Sequence, residues 1–74
     1  YNYSNENILI GFKNAYNLTT GYGNVWLGNY VGYNSNDTNT LKIDNSDTSK
    51  TLIYGEFDND RLKINGRLAV STYT

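Results

Sequence analysis

The stretch Asn24-Val25-Trp26-Leu27-Gly28 decides the fold, because equivalents of it recur along the 74-residue chain. Each equivalent has a polar residue, a short apolar or alternating triplet and then a turn-forming residue, as in a short β-strand followed by a turn. The other four are Asn7-Ile8-Leu9-Ile10-Gly11, Thr40-Leu41-Lys42-Ile43-Asp44, Thr51-Leu52-Ile53-Tyr54-Gly55 and Arg61-Leu62-Lys63-Ile64-Asn65-Gly66. Such repetition predicts a β architecture in which no single unit closes a core alone.

The composition favours an all-β fold that is stabilised by oligomerisation. The sequence has 8 tyrosines, 7 glycines and many asparagines, which are residues of strands and turns. No segment shows a helical period. A monomer of this size buries only about 60% of its unfolded surface, and the usual remedies are disulfides, metals or oligomerisation. Because the chain has no cysteine and no histidine, oligomerisation is the expected remedy.

The net charge and the short apolar runs disfavour two classes of partner, and the charged residues are unevenly distributed along the chain. A net charge of −1 gives no electrostatic basis for binding nucleic acid. No apolar run approaches the roughly 18 residues of a membrane span, so membrane insertion is not expected. Residues 1–35 carry two charged side chains, whereas residues 36–74 carry the other 11. We predict an uncharged β-repeat region over 1–35 and a charged β-repeat region over 36–74, within one continuous fibre module.

Alternation along the motifs predicts which side chains face a core. Lys42 and Lys63 each lie between two apolar residues. Lysine is rarely buried unpaired, so these lysines should face outward and their neighbours inward. Ile53 and Phe57 have a parity opposite to that of Glu56, which also predicts an inward position. The predicted shared core of the oligomer is Ile8, Ile10, Val25, Leu27, Leu41, Ile43, Leu62 and Ile64.

The Asn65-Gly66 pair allows two arrangements of the C-terminal segment. Asn-Gly between strands is the strongest short hairpin signal, but a hairpin would place Leu68 and Val70 on the lysine face. A strand that continues through a kink at Gly66 keeps those two residues on the apolar face. We therefore expect the continuous, kinked strand.

The aromatic residues of the first region form a candidate ligand or receptor face. Trp26 has the parity opposite to Val25 and Leu27, which predicts that it faces outward. Four tyrosines lie nearby in the sequence among many asparagines, namely Tyr16, Tyr22, Tyr30 and Tyr33. Exposed rings beside amides suit contacts with sugars or proteins. The alternative is that the rings pack between chains or cover neighbouring coils.

The polar residues predict no catalytic, metal or cofactor site, and hence no enzyme. A nucleophilic triad lacks its base, because there is no histidine. The carboxylates Asp44, Asp47, Glu56, Asp58 and Asp60 are typical of turn caps, and none of their runs has the spacing of a calcium loop. Gly21-Tyr22-Gly23 is not a phosphate loop, because no helix and no Lys-Ser/Thr pair follow it.

Two groups of motifs carry a resemblance to known fibres. Asn7-Ile8-Leu9-Ile10-Gly11, and Asn24-Val25-Trp26-Leu27-Gly28 after Thr20-Gly21-Tyr22-Gly23, resemble the head repeats of trimeric autotransporter adhesins and repeats of bacteriophage tail fibres. The succession Leu41-Lys42-Ile43-Asp44, Leu52-Ile53-Tyr54-Gly55 and Leu62-Lys63-Ile64-Asn65-Gly66 resembles the segment found before a C-terminal endosialidase-type intramolecular chaperone. Together these motifs cover roughly residues 5–70.

The resemblance implies an intertwined or side-by-side homotrimer of β-roll or β-prism type. It implies a structural and receptor-binding module of a virion tail fibre or an extracellular bacterial surface adhesin, with a host surface glycan or protein as partner. One alternative is a carbohydrate-binding, lectin-like module that uses Trp26 and the tyrosines. The least favoured alternative is a fragment of a glycan-cleaving tailspike.

Overall fold

The chain folds into short β-strands, as its repeated motif predicts. The computed structural model describes residues 6–47 and 50–72, so the predicted regions 1–35 and 36–74 lie only partly within the described residues. The strands are β1 (Ile8–Ile10), β2 (Val25–Gly28), β3 (Thr40–Asp44), β4 (Ile53–Glu56) and β5 (Arg61–Ile64). The predicted all-β class is confirmed over the described residues, which contain no helix and therefore none that could cross a membrane.

The five strands form one mixed sheet in sequence order. Strands β1, β2 and β3 are parallel, and β3, β4 and β5 are antiparallel. In the parallel part, Leu9 pairs with Trp26 and Trp26 pairs with Lys42, so successive motifs lie side by side. Residues 7–23 and 24–39 therefore form two successive coils. The predicted boundary between residues 35 and 36 falls inside the second coil.

The backbone conformation repeats from coil to coil even where the side chains differ. Equivalent positions share a positive φ, which costs about 1 to 2 kcal/mol in residues other than glycine. These positions are Glu6, Gly23 and Asn39, then Lys13 and Tyr30, then Ala15 and Gly32. Hydrogen bonds between the coils hold this geometry: Ala15 N–H donates to the Val31 carbonyl at 2.9 Å, and Tyr30 N–H donates to the Phe12 carbonyl at 2.9 Å.

The glycine that ends the first two motifs is required by the stacking of the coils. Gly11 and Gly28 have φ values of 132° and 135°. A Cβ atom at Gly11 would overlap the carbonyl of Gly28, and one at Gly28 would overlap the carbonyl of Asp44. Successive coils approach so closely at this corner that neither Gly11 nor Gly28 could carry a side chain.

The polar residues that begin the first three motifs form a buried ladder. Asn7 Oδ1 accepts a hydrogen bond from Asn24 N–H at 3.0 Å, and Asn24 Oδ1 accepts one from Thr40 N–H at 2.9 Å. The side-chain amides also donate to loop carbonyls, Asn7 to Gly21 and Asn24 to Asp37. All three ladder residues are buried. The ladder satisfies backbone groups that the coils would otherwise bury unpaired.

Trp26 lies in the core of the chain, and the prediction that it faces outward on a ligand surface is wrong. Its side chain is 0% exposed and packs with Ala15 and Val31. Its indole N–H donates to Thr40 Oγ1 at 2.9 Å. Trp26 does have the parity opposite to Val25 and Leu27, but the loops that return from β1 and β2 cover that side of the sheet. A Cβ at Gly32 would overlap the indole, so this glycine makes room for the ring.

Lys42 is also buried, against the prediction that the lysine face is exposed. Its ammonium lies 2.6 Å from an Asp37 carboxylate oxygen and 3.2 Å from Ser35 Oγ. It also lies 4.7 Å from the centre of the Trp26 ring. The rule that lysine is rarely buried applies to unpaired lysine, and here an ion pair, a hydroxyl and a ring face replace water.

Beyond β5, the chain leaves the sheet. Residues 65–66 form a bend and residues 67–72 are outside any strand, so the predicted strand through Gly66 is wrong and the hairpin does not form either. Asn65 N–H donates to the Leu52 carbonyl at 2.8 Å, and its side-chain amide donates to the Thr51 carbonyl at 2.7 Å. These bonds tie Asn65 to the segment before β4 and end the strand there.

Candidate functional site

One face of the sheet is apolar across all five strands and is not covered by the chain. The strand register places alternate residues of every strand on this side of the sheet. We call it the open face, and its members are Ile8, Ile10, Val25, Leu27, Leu41, Ile43, Ile53, Gly55, Leu62 and Ile64. All eight predicted core residues lie on it. Ile10 is 62% exposed and Leu62 is 67% exposed, so within this chain the set does not form a buried core.

The charged residues of the strands lie on the opposite side, which we call the loop face. Its central row, read across the sheet, is Leu9, Trp26, Lys42, Tyr54 and Lys63. The other charged strand residues, Asp44, Glu56 and Arg61, share its parity. Burial along the row falls from complete at Trp26 to half at Tyr54, and Lys63 is exposed. The covering loops therefore reach β1 to β3 but leave β4 and β5 uncovered on this side.

The open face has a hollow where Gly55 interrupts its side chains. Gly55 lies between Leu41 on β3 and Leu62 on β5. The resulting hollow of about 250 Å³ is also lined by Phe57, which is exposed in the turn after β4, and by the charged residues Glu56, Asp60 and Arg61. The predicted inward residues Ile53 and Phe57 thus border the open face. The hollow could receive an apolar side chain of a second molecule.

Three of the four predicted tyrosines lie together at the turns after β1 and β2. The rings of Tyr16 and Tyr33 stack with centres 4.8 Å apart, and those of Tyr30 and Tyr33 are 5.4 Å apart. Phe12 packs edge-on against Tyr30 at 5.7 Å. Tyr22 is 48% exposed and makes no ring contact with these three among the described residues. The structure therefore brings together Tyr16, Tyr30 and Tyr33 but not Tyr22 or Trp26.

The tyrosine stacking is part of the contact between the two coils. Tyr16 and Tyr33 occupy equivalent positions, as do Asn17 and Asn34, whose side chains share a hydrogen bond of 2.6 Å. Lys13 lies 5.7 Å from the Tyr16 ring centre. One face of each ring in this pair is thus used within the chain, although Tyr16 remains exposed. This corresponds to the alternative in which the tyrosines cover neighbouring coils.

A polar cleft lies on the loop face of β4 and β5, where the covering loops end. Tyr54, Glu56, Arg61, Lys63 and Asn65 line this cleft of about 280 Å³. The Tyr54 hydroxyl donates to Glu56 at 3.1 Å, and Asn59 donates to Glu56 at 2.8 Å. Sequence reasoning missed the cleft. Its signal was that a short turn between the two strands would place residues 54 and 56 beside residues 63 and 61 on one face.

Two pKa values in this cleft are displaced from their ordinary values. The hydrogen bond from Asn59, followed by that from Tyr54, lowers the pKa of Glu56, because both bonds favour the ionised carboxylate. Burial, followed by the hydrogen bond to Glu56, raises the pKa of Tyr54. At neutral pH the pair is therefore a carboxylate held by a protonated hydroxyl.

The described residues offer no cluster for a metal ion. Within 6–47 and 50–72, no group of three His, Cys, Asp or Glu side chains lies close enough to hold one. One oxygen of Asp44, Oδ2, is buried without a hydrogen-bond partner. Asp44 takes the place that glycine occupies in the first two motifs, and among the described residues it belongs to no group of three metal-ligating side chains.

Comparison of the chain with models of protein families, with curated proteins and with solved structures finds no match.

Proposed function

We propose that this chain is a structural module of a homotrimeric fibre, in which the open faces of three copies pack around a common axis. The proposal covers a viral tail fibre or a bacterial surface adhesin, with attachment to a host surface glycan or protein. It assigns no catalytic role and no cofactor. The observation that carries it is the sorting of the strands: every position on the open face is apolar, and every charged strand residue lies on the loop face.

Such sorting is unfavourable for a protein that remains a monomer. Large contiguous apolar patches on soluble proteins mark association surfaces. Fully burying one Ile, Leu or Val side chain contributes about 1.5 to 3 kcal/mol. Because many of these side chains are already half-buried, closing the face would contribute on the order of 10 kcal/mol per protomer. That is comparable with the cost of association, about 4 to 15 kcal/mol, so assembly requires most of the face.

Packing three sheets by their open faces makes a prism whose walls are the sheets. The loop faces then point to solvent, where their charged residues are hydrated. The hollow beside Gly55 gives each sheet a recess for a side chain from its neighbour. The small size of the chain is consistent with this arrangement, because each protomer completes its hydrophobic burial only in the assembly.

The mass of the particle in solution tests the proposal. Light scattering after size exclusion should give three times the 8.4 kDa of one chain. The variant Ile10→Glu places a charge on the open face and should yield a folded monomer, because this side chain is 62% exposed within the chain. Val70→Glu is the matched control, since Val70 is 85% exposed and lies outside the sheet.

Two results would contradict the proposal. One is a parent chain that elutes with the mass of a monomer at micromolar concentration. The other is an Ile10→Glu variant that keeps the mass of the parent, because a buried unpaired carboxylate at a three-fold contact is not tolerated.

The lectin-like alternative keeps part of its support. Tyr16 is 62% exposed and lies beside the Asn17 and Asn34 amides. The lectin-like alternative can no longer include Trp26, which is buried in the core. The Tyr16 ring also already stacks on Tyr33. A glycan array with the assembled parent and a Tyr16→Ser variant tests this alternative, which requires binding that the substitution removes.

A further inference from the structure

The cleft on β4 and β5 combines two cationic groups, Arg61 and Lys63, with the aromatic ring of Tyr54. It lies on the loop face, at the point where the covering loops end. Cross-strand pairs place Tyr54 opposite Lys63 and Glu56 opposite Arg61, so four of its side chains project from two adjacent strands. Side chains on paired strands are held more firmly than side chains on loops, which suits a binding site.

The cations of the cleft are available, whereas its carboxylate is engaged. Glu56 already accepts hydrogen bonds from Tyr54 and Asn59. Arg61 approaches Glu56 only through Nε, at 3.9 Å, and its side chain is 74% exposed. Lys63 is exposed as well. The guanidinium can therefore turn its outer edge to a ligand, and a planar carboxylate is the group that matches its paired donors.

We propose that this cleft binds a carboxylate-bearing sugar unit of a surface polysaccharide, with Arg61 and Lys63 on the acid group and the Tyr54 ring against the sugar. The inference names the ligand class for the host-attachment part of the proposed function and rests on that function for its setting. The cleft and the open face lie on opposite sides of the sheet, so the trimer leaves the cleft accessible. Binding itself does not require the trimer.

The size and lining of the cleft favour one sugar ring over other anionic ligands. Its volume of about 280 Å³ is close to the lower end of the about 300 to 1,000 Å³ range of small-molecule pockets. An aromatic ring supplies apolar area for the face of a sugar, while the engaged Glu56 and the Asn65 amide can meet hydroxyl groups. Nucleic acid is disfavoured, because the chain carries a net charge of −1.

Titration with two sugars that differ only in the acid group tests the proposal. Methyl β-D-glucuronide and methyl β-D-glucoside are added to ¹⁵N-labelled protein, and the backbone amide shifts of the parent are followed by NMR. The glucuronide should shift the amides of Tyr54, Glu56, Arg61 and Lys63 saturably, with at least about tenfold tighter binding than the glucoside, as a charge-assisted hydrogen bond supplies. Equal binding of both sugars, or shifts elsewhere only, would overturn the inference.

Inorganic phosphate and two variants separate a sugar site from a simple anion site. Tyr54→Leu should weaken glucuronide binding several-fold and leave phosphate binding nearly unchanged, because phosphate has no face to stack. Arg61→Gln should weaken glucuronide binding about tenfold or more, whereas Arg67→Gln, an exposed cation outside the cleft, should not change it. If phosphate binds as tightly as the glucuronide, or if Arg67→Gln weakens binding as much as Arg61→Gln, the sugar-acid site is refuted.

Light scattering on the same samples keeps the two proposals distinguishable. A trimeric parent that does not bind the glucuronide refutes the cleft and leaves the fibre module standing. A monomeric parent that binds it saturably refutes the assembly and leaves the cleft standing. Arg61→Gln should retain the mass of the parent, because the Arg61 side chain is exposed and lies on the loop face, although the residue also borders the hollow beside Gly55.

Discussion

Replacing Asn24 by alanine should remove most of the folding free energy of the chain. Asn24 is 1% exposed, and its side chain makes three hydrogen bonds. It accepts from Thr40 N–H at 2.9 Å and from Thr40 Oγ1 at 2.7 Å, and it donates to the Asp37 carbonyl at 2.7 Å. Alanine removes all three bonds, and the space left behind is too enclosed for bulk water to replace them.

The magnitude follows from the groups that lose their partners. A buried donor or acceptor left without a partner costs about 1 to 3 kcal/mol. For the Thr40 amide, the Thr40 hydroxyl and the Asp37 carbonyl together, we expect a loss of about 3 to 6 kcal/mol. Small domains are stable by only about 5 to 15 kcal/mol. The variant should therefore be partly unfolded near room temperature.

The assay uses Trp26, the single tryptophan, as an internal probe. Its emission should shift when the ring becomes exposed, so urea unfolding can be followed by fluorescence. All variants are measured at one protein concentration, because assembly makes stability concentration-dependent. Asn34→Ala is the matched control, since its described side-chain bond, from Asn17, is exposed and should be worth less than about 1 kcal/mol. Losses for the two variants that agree within about 1 kcal/mol would refute the ladder argument.

Two further predictions concern the Trp26 core and the acid stability of the cleft. Gly32→Ala should destabilise the chain by about 2 kcal/mol or more, because the new Cβ overlaps the Trp26 ring and the backbone φ of 63° is unfavourable for alanine. Unchanged near-ultraviolet circular dichroism and an unchanged urea midpoint would contradict this prediction. The lowered pKa of Glu56 means that its contribution to stability is present above its ordinary value of 4.5 and is lost as the pH falls below it. Glu56→Gln should therefore lose less melting temperature between pH 6 and pH 3 than the parent, and an equal loss would be evidence against the Asn59 and Tyr54 bonds.

The strands were predictable because alternation along a short motif is a local property of the sequence. Four of the five motifs contain one strand each, and β4 begins in the fourth motif and extends one residue beyond it. The eight predicted apolar residues share one face. The residue that ends each motif was recognised as a turn former, whereas no role was predicted for the polar residue that begins it. Their actual tasks, a buried amide ladder and a corner without room for Cβ, depend on a neighbouring coil and cannot be read from one motif alone.

The core around Trp26 was not predicted, because alternation separates the two faces of a strand but does not indicate what covers each face. Trp26 and Lys42 were assigned to solvent by their parity alone. Their burial depends on loops that return over one face, and on the pairing of Lys42 with Asp37. A signal was present: the position of Ala15 in the first coil is Gly32 in the second, and the motif residue beneath it changes from Leu9 to Trp26. A smaller residue above a larger one indicates packing.

The error at Asn65 has a similar cause. The hairpin signal and the continuous strand were weighed by how they sort apolar residues on the sheet, and both assumed that the segment stays in the sheet. Asn65 instead makes two hydrogen bonds to residues 51 and 52 and redirects the chain. The preference of a single amide for backbone partners cannot be weighed from sequence until the loop that offers them is placed.

The division of contacts between the two faces bears on how three chains would assemble. In an intertwined trimer, strands of different chains pair, so one chain alone loses its sheet when the assembly is broken. Here all four strand pairings, the buried ladder and the Trp26 core form within one chain. The open face is the apolar surface of the described residues that this chain does not cover. We therefore expect side-by-side packing, in which Ile10→Glu releases monomers that keep the buried Trp26 emission of the parent. Monomers with exposed Trp26 emission would instead indicate that the sheet depends on exchange between chains.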